Sequence, residues 1–416
     1  MPAPARGKSG QPKPAGPSVY CVGSRSSFDP ETRTDDAEGV FLRGAADALA
    51  RNDLRSAINS WFDIPAQDSY VYHALMSVRL VEVQRVVTMG AQKGPPPGYI
   101  NHIEEPLPPP SLADIEAYLS IFDPAQSSAA ALRSFGANAK KGSIRRLAAD
   151  HLAAKRFVHP ALSQALAVPK RKKGAPPHPN PYLLFWAWSC RTLGWCGPTT
   201  TTAMTDARGS HPILPVLMHH FGCVAPSLES LEILRVLAAG RTVVDVGSGN
   251  GYWSFMLRRH GVPTVAVDNE QSLWRTMWIP DTVKEDGVSW LRRQDPPGGK
   301  DMVLLLVYPI VGSDGNGTFT RSLLDAYEGD TVAVVGTQNR NGYTSFARMT
   351  MDEYMADAHA QGSQGDDHDK TAISDGEKHP WVRVVQIPLP SFAAKDEALF
   401  VFQRGDRAPK EPATSP

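Results

Sequence analysis

Cysteine is scarce in this chain of 416 residues: four in all, at Cys21, Cys190, Cys196 and Cys223. So few, so scattered, exclude a disulfide framework and fit a reducing compartment. Together with His211, His219 and His220 they match neither C-x2-C nor H-E-x-x-H spacing, so no metal site is expected. Long apolar runs are also missing. The longest, 302–311, is interrupted by Pro309 and is too short to cross a bilayer. The first residues lack the apolar core of a signal peptide. The expected protein is intracellular, cytoplasmic or nuclear, with no membrane partner. Nor is there net charge, with 43 Lys+Arg against 43 Asp+Glu. The balance is uneven along the chain. Residues 1–225 carry 24 basic and 17 acidic side chains, and 226–416 carry 19 and 26. The first half suits an anionic partner or merely balances the second, which by itself is a poor nucleic-acid surface.

An apolar fraction of 42% in a chain this long is enough for two domains and a buried core. Residues 1–38 are rich in Pro, Gly and Ser, and a disordered tail is expected. Residues 39–225 read as an α-helical region. Phe41, Leu42, Ala45, Ala46, Leu49 and Leu54, then Val71, Leu75, Val78, Leu80, Val81 and Val83, predict two helices before Gly90. A Pro-dense linker follows over 93–110. Ser111, with Asp114 three residues on, is placed to cap a helix over 112–122. An alanine-rich helical stretch covers 127–167. The basic cluster Lys170-Arg171-Lys172-Lys173 between prolines reads as a nuclear-import signal, a phosphate-attracting patch or a plain exposed loop. Tyr182, Phe185, Trp186, Trp188 and Trp195 fit a buried helix face better than a base-stacking surface.

The informative stretch is 242–253. The β-branched run Val243-Val244 ends in Asp245-Val246, and glycine then stands at 247, 249 and 251 before Tyr252-Trp253 opens an amphipathic segment. This pattern predicts a buried parallel strand, a tight turn and a helix N-terminus. Glycine permits positive φ and lets a ligand approach the backbone, while the helix directs its amides at the turn. A nucleotide-like ligand is expected there. The third glycine falls one residue too early for the dinucleotide fingerprint G-x-G-x-x-G. A second strand over 262–267 ends in Asp268-Asn269. That carboxylate, about 20 residues beyond the glycines, can accept both hydroxyls of a ribose. A third strand is barely visible at 281–283, a fourth covers 302–307, ending in Tyr308-Pro309, and a fifth covers 331–335. Two β-rich runs, 381–387 and 398–403, close the series. The polar loop 336–344 reads as a substrate-holding loop or a solvated one, 362–378 as a mobile acidic insertion, and 406–416 as a disordered tail.

These motifs resemble motif I and the acid of the second strand in the class I S-adenosylmethionine-dependent methyltransferases. A poorly characterised group among them also has an aromatic–small–Pro–polar lead-in, matched here by Phe221–Ser227, and a Gly-x-Gly-x-Gly-Tyr-Trp turn. The resemblance spans residues 226–405. It implies a Rossmann-like α/β sheet, mostly parallel with an antiparallel last strand. It implies S-adenosyl-L-methionine as cofactor, with contacts from Asp245, Gly247, Ser248, Gly249, Asn250, Gly251, Tyr252, Asp268 and Asn269. Asp286 is the implied partner of the adenine amino group, and Asp245 of the cationic amino-acid part. Tyr308 stands where amino-directed methyltransferases carry an Asp or Asn before Pro-Pro-aromatic, which argues against adenine or cytosine N-methylation. The implied activity is methyl transfer, with RNA, protein and small-molecule acceptors all open and no general base named. A catalytically silent binding protein and an NAD-dependent oxidoreductase are the rival readings.

Overall fold

The computed structural model describes residues 20–22, 26–74, 76–93, 107–168, 179–198, 211–362, 380–392 and 395–410. The basic cluster at 170–173, most of the Pro-dense linker and the acidic insertion after 362 lie outside them. The chain opens with helices α1 (Pro30–Thr34), α2 (Val40–Ala50) and α3 (Leu54–Phe62), a hairpin of β1 (Val71–His73) and β2 (Ser77–Arg79), and α4 (Leu80–Lys93). There follow α5 (Leu112–Leu119), α6 (Ser128–Ala137), α7 (Ile144–Lys155), β3 (Phe157–Val158), α8 (Pro181–Leu193), α9 (Ile213–Phe221) and α10 (Leu228–Ala238). The α/β half comprises β4 (Val243–Val246), α11 (Tyr252–Arg259), β5 (Thr264–Asp268), β6 (Val283–Lys284), α12 (Gly287–Arg292), β7 (Val303–Val307), α13 (Thr318–Ala326), β8 (Thr331–Thr337), α14 (Met351–Gly362), β9 (Val382–Pro388) and β10 (Glu397–Gln403).

Local chemistry sets several of these ends. Ser111 and Asp114 form the expected capping box on α5, and Ser227 with Ser230 forms one on α10. Asn180 caps α8, Pro181 supplies its first turn and Gly194 its left-handed stop. Strands β4, β7 and β8 are apolar on both faces because helices cover both sides of the sheet.

Eight strands form one sheet in the order β3-β9-β10-β8-β7-β4-β5-β6. Strands β6, β5, β4, β7 and β8 run parallel. Strand β10 is inserted antiparallel between β8 and β9. The chain leaves β4 to place β5 on one side and β7 on the other. That makes the carboxyl ends of β4 and β7 the switch point, where open α/β sheets bind ligands. This is a Rossmann-like sheet, mostly parallel, with its last strand in sequence reversed.

Three expectations need correction. Residues 26–38 are not a free tail. Phe28, 1% exposed, packs against Phe62 and Trp278, and Arg259 pairs with Glu31 and Asp35. A single buried aromatic ring outweighs the polar composition around it. The helical region does not stand apart from the sheet either. Strand β3 pairs with β9, and one continuous apolar cluster runs from Leu54 and Trp61 through Trp186 to Val243 and Leu399. The five aromatic residues between 182 and 195 all lie in it, at most 5% exposed. Finally, Val71 and Val78 belong to a hairpin rather than a second helix; only from Leu80 does helical spacing apply.

Candidate functional site

The carboxyl ends of β4, β5 and β7 open on a cavity of about 1110 Å3. One wall is the glycine turn. Gly247, Gly249 and Gly251 have φ of 73°, 56° and 76°, so all three need the freedom of glycine. The turn is fixed from below and from the side. The Gly247 amide donates to the Val267 carbonyl over 2.8 Å, and the Gly249 amide donates to Asp268 Oδ2 over 2.9 Å. The other Asp268 oxygen accepts the Glu270 amide at 2.6 Å. Each carboxylate oxygen keeps a further lone pair for a ligand hydroxyl.

Gly247, Ser248, Gly249, Asn250, Tyr252, Asp268, Asn269 and Asp286 all line this cavity. Asp286 caps α12 with one oxygen on the Ser289 amide, leaving the other free of that duty. The Ser248 hydroxyl and the Asn250 amide nitrogen are buried without a hydrogen-bond partner, a combination native proteins retain mainly where something else supplies the partner. Trp274 packs against the turn: a Cβ on Gly249 would meet its ring at 3.0 Å.

Two of the implied contacts do not reach the cavity. Asp245 is fully buried behind the turn, where Oδ2 accepts the Ser254 hydroxyl at 2.7 Å and Oδ1 has no partner. Burial, reinforced by the nearby Asp268 charge, pushes this carboxyl up to about 7. Gly251 is reserved for packing, because a Cβ there would strike Ile279 at 2.6 Å. The Tyr252 side chain also serves the interior. Its hydroxyl donates to Asn180 Oδ1 over 2.7 Å, while Trp253 Nε1 donates to the Val224 carbonyl over 2.9 Å. The Tyr-Trp dipeptide thus bolts the turn to α8 and to the segment leading into α10.

The opposite wall was not foreseen. Hairpin β1–β2 is held on α9 by adjacent histidines. His219 Nε2 lies 2.7 Å from the His73 carbonyl, and His220 Nε2 lies 3.0 Å from the Tyr72 hydroxyl. Burial lowers both imidazoles, which keeps them neutral and leaves one acceptor and one donor each. The hairpin presents Tyr70, and beneath that ring sits Arg275, fully buried, 4.2 Å from the ring centroid and 2.7 Å from Asp68.

The floor holds the least expected group. Tyr308, at the end of β7, adopts a φ of 55°, and its hydroxyl hydrogen-bonds with Lys395 Nζ. A tyrosine in the left-handed region is uncommon and costs energy. Lys395 is 6% exposed and sits 4.1 Å from the Tyr343 ring centroid. Glu397, 2% exposed, leaves one carboxylate oxygen unpaired. Burial lowers Lys395 and raises Glu397 to about 7, the charge of each opposing those shifts in the other. The sequence signal was Glu397 itself: an acidic residue opening an otherwise apolar strand. In the loop 336–344 only Arg340 is exposed, and Tyr343 alone reaches the cavity. Gln338, Asn339 and Asn341 are buried, and Gln338 Nε2 donates to Asp396 Oδ1 over 2.9 Å.

No family model matches this chain, and no curated protein matches it in sequence. Solved structures share the fold at low similarity. Magnesium protoporphyrin IX methyltransferase from Synechocystis PCC 6803, with bound S-adenosylmethionine, is 11% identical over 48% of this chain and 87% of its own, with a TM-score of 0.29. A Burkholderia thailandensis 1,6-didemethyltoxoflavin-N1-methyltransferase is 14% identical over 42% and 78%, with a TM-score of 0.27. Mitomycin 7-O-methyltransferase is 11% identical over 90% and 97%, with a TM-score of 0.28. At these values they assign no residue, ligand or substrate to this chain.

Proposed function

We propose that the protein is an S-adenosylmethionine-dependent methyltransferase. The observation that carries this reading is the convergence of the glycine turn, Asp268 and Asp286 on one cavity at the switch point of a sheet whose last strand is reversed. The residues present fit the cofactor. Asp268 accepts the ribose hydroxyls with the lone pairs left over from its two backbone bonds, and the free oxygen of Asp286 accepts the adenine amino group. Ser248 and Asn250 satisfy their buried polar atoms on the ligand. Asp245 acts indirectly, by holding Ser254 and the floor of the turn.

When bound, S-adenosylmethionine supplies a methyl group on an electrophilic sulfonium, so the protein's task is alignment of an acceptor and exclusion of water. The pyrophosphate of a dinucleotide suits this wall less well, with Asp268, Glu285 and Asp286 as the charged residues among its described lining. Calorimetry with S-adenosylmethionine and with NAD tests the reading. Micromolar binding of the first and none of the second is expected; the reverse order would sink it.

A further inference from the structure

The cavity, about 1110 Å3, stands at the upper end of the range for ligand pockets, and its lining extends well beyond the glycine turn. Away from the turn its lining includes Tyr70, Met218, Phe221, Tyr308, Ile310 and Tyr343, with His73, His219 and Cys223 beside them. Among the described residues no Lys or Arg lines any part of the cavity. A nucleic-acid backbone is held by such cations, and an acidic small molecule would need them too. Aromatic and thioether walls instead favour a flat apolar body. At the rim, Leu273 is 85% and Ile310 58% exposed, which extends the apolar character to the mouth.

We propose, building on the methyltransferase reading, that the acceptor is a small, uncharged aromatic molecule bearing a hydroxyl, and that Tyr308 takes the proton which the methyl group replaces. Tyr308 lines the cavity, and its hydroxyl, which hydrogen-bonds with Lys395 Nζ and with the Glu397 carboxylate, connects the cavity to that buried pair as a relay. Burial lowers Lys395, opposed by the Glu397 charge, and this direction favours a neutral amine able to accept a proton. The step balances. The S–CH3 bond breaks and an O–CH3 bond forms, releasing S-adenosylhomocysteine. The acceptor proton moves to the Tyr308 oxygen as the Tyr308 proton moves to the Lys395 amine. One positive charge is lost at sulfur and one gained at Lys395, beside Glu397. The strained Tyr308 backbone is consistent with a side chain held for a task.

The groups facing this pair are Cys223, Tyr182, Tyr343, Asp396 and Glu397, so a pH profile must be read against variants. The test uses the full chain, labelled S-adenosylmethionine, and three acceptor pools: 2-naphthol with 8-hydroxyquinoline, total RNA, and total protein. Label is expected in the hydroxyaryl pool, with the rate reduced roughly 10²–10⁴-fold in Tyr308→Phe at unchanged cofactor affinity. Lys395→Arg keeps a cation but cannot deprotonate, so it should lose the alkaline rise in rate that wild type shows. Independently of turnover, 4-nitrophenol bound with S-adenosylhomocysteine should absorb as the phenolate at a lower pH than in free solution. That shift should vanish in Tyr308→Phe. Label in RNA or protein, label nowhere despite cofactor binding, or no phenolate shift in wild type would overturn the proposal. Absence of cofactor binding would instead overturn the methyltransferase reading.

Discussion

The amide of Gly249 donates to Asp268 Oδ2 over 2.9 Å, joining the glycine turn to the end of the neighbouring strand. The acid therefore shapes the turn before any ligand arrives. Asp268→Ala is expected to remove both that bond and the ribose contact. Charge-assisted hydrogen bonds contribute about 1.5–3 kcal/mol each, so S-adenosylmethionine affinity should fall at least tenfold by calorimetry. Unchanged affinity would remove Asp268 from the site.

Gly251→Ala should act on stability rather than on binding. The added methyl meets Ile279 at 2.6 Å in a backbone with φ of 76°. Overpacking and left-handed strain together are expected to cost about 2–4 kcal/mol, read as a lowered urea midpoint. Gly261→Ala, where the methyl meets nothing within 4 Å at a φ of 77°, isolates the backbone part, about 1–2 kcal/mol. Equal losses at both sites would refute the clash with Ile279.

Asp245 carries a pH dependence whose sign is opposite to that of a salt-bridged acid. Its pKa is raised from 3.8 to about 7 by burial, so between these values the folded state holds a proton that the unfolded state has released. Its contribution is complete below the unfolded value and declines as pH rises towards the folded one, by at most about 1.4 kcal/mol per pH unit. Glu397, raised to about 7, adds a parallel decline. Asp245→Asn keeps the shape and removes the titration, so its stability relative to wild type should improve steadily from pH 4 to 7. A difference that stays flat over that range would show that Asp245 ionises normally.

Asp68 and Arg275 offer a test of the cavity's far wall. Arg275 is fully buried, and two of its guanidinium nitrogens lack partners already. Removing the carboxylate in Asp68→Ala strands a buried charge, at an expected cost of about 3–5 kcal/mol. The double variant with Arg275→Met should recover much of that loss in chemical denaturation. If it recovers nothing, the pair is not coupled.

The parts of this molecule that were readable without coordinates are those fixed by local patterns. Val243–Val246 could only be a buried strand, because four apolar or enclosed positions in succession suit a sheet covered on both faces. The glycines announced positive φ, and Ser111 announced a helix start. Asp268 was found because distance along a βαβ unit translates into position at a strand end.

What stayed hidden depends on contacts between residues far apart in sequence. Asp245 precedes the turn as a ligand-binding acid would, yet its rotamer turns to Ser254 and away from the cavity. Phe28 looks like one apolar residue in a polar tail until Phe62 and Trp278 close over it. Tyr308 and Lys395 are 87 residues apart, and no periodicity connects them; they meet because β10 is inserted beside β8 and carries the residues before it to the floor beneath β7. The sequence by itself determined the α/β alternation, the glycine turn and its paired acid, since backbone sterics and strand-to-helix geometry act over a few residues. Tertiary structure alone decided which of those acids faces the cavity, what lines it away from the turn and which lysine stands behind Tyr308. Those are outcomes of burial, and burial is a property of the whole fold.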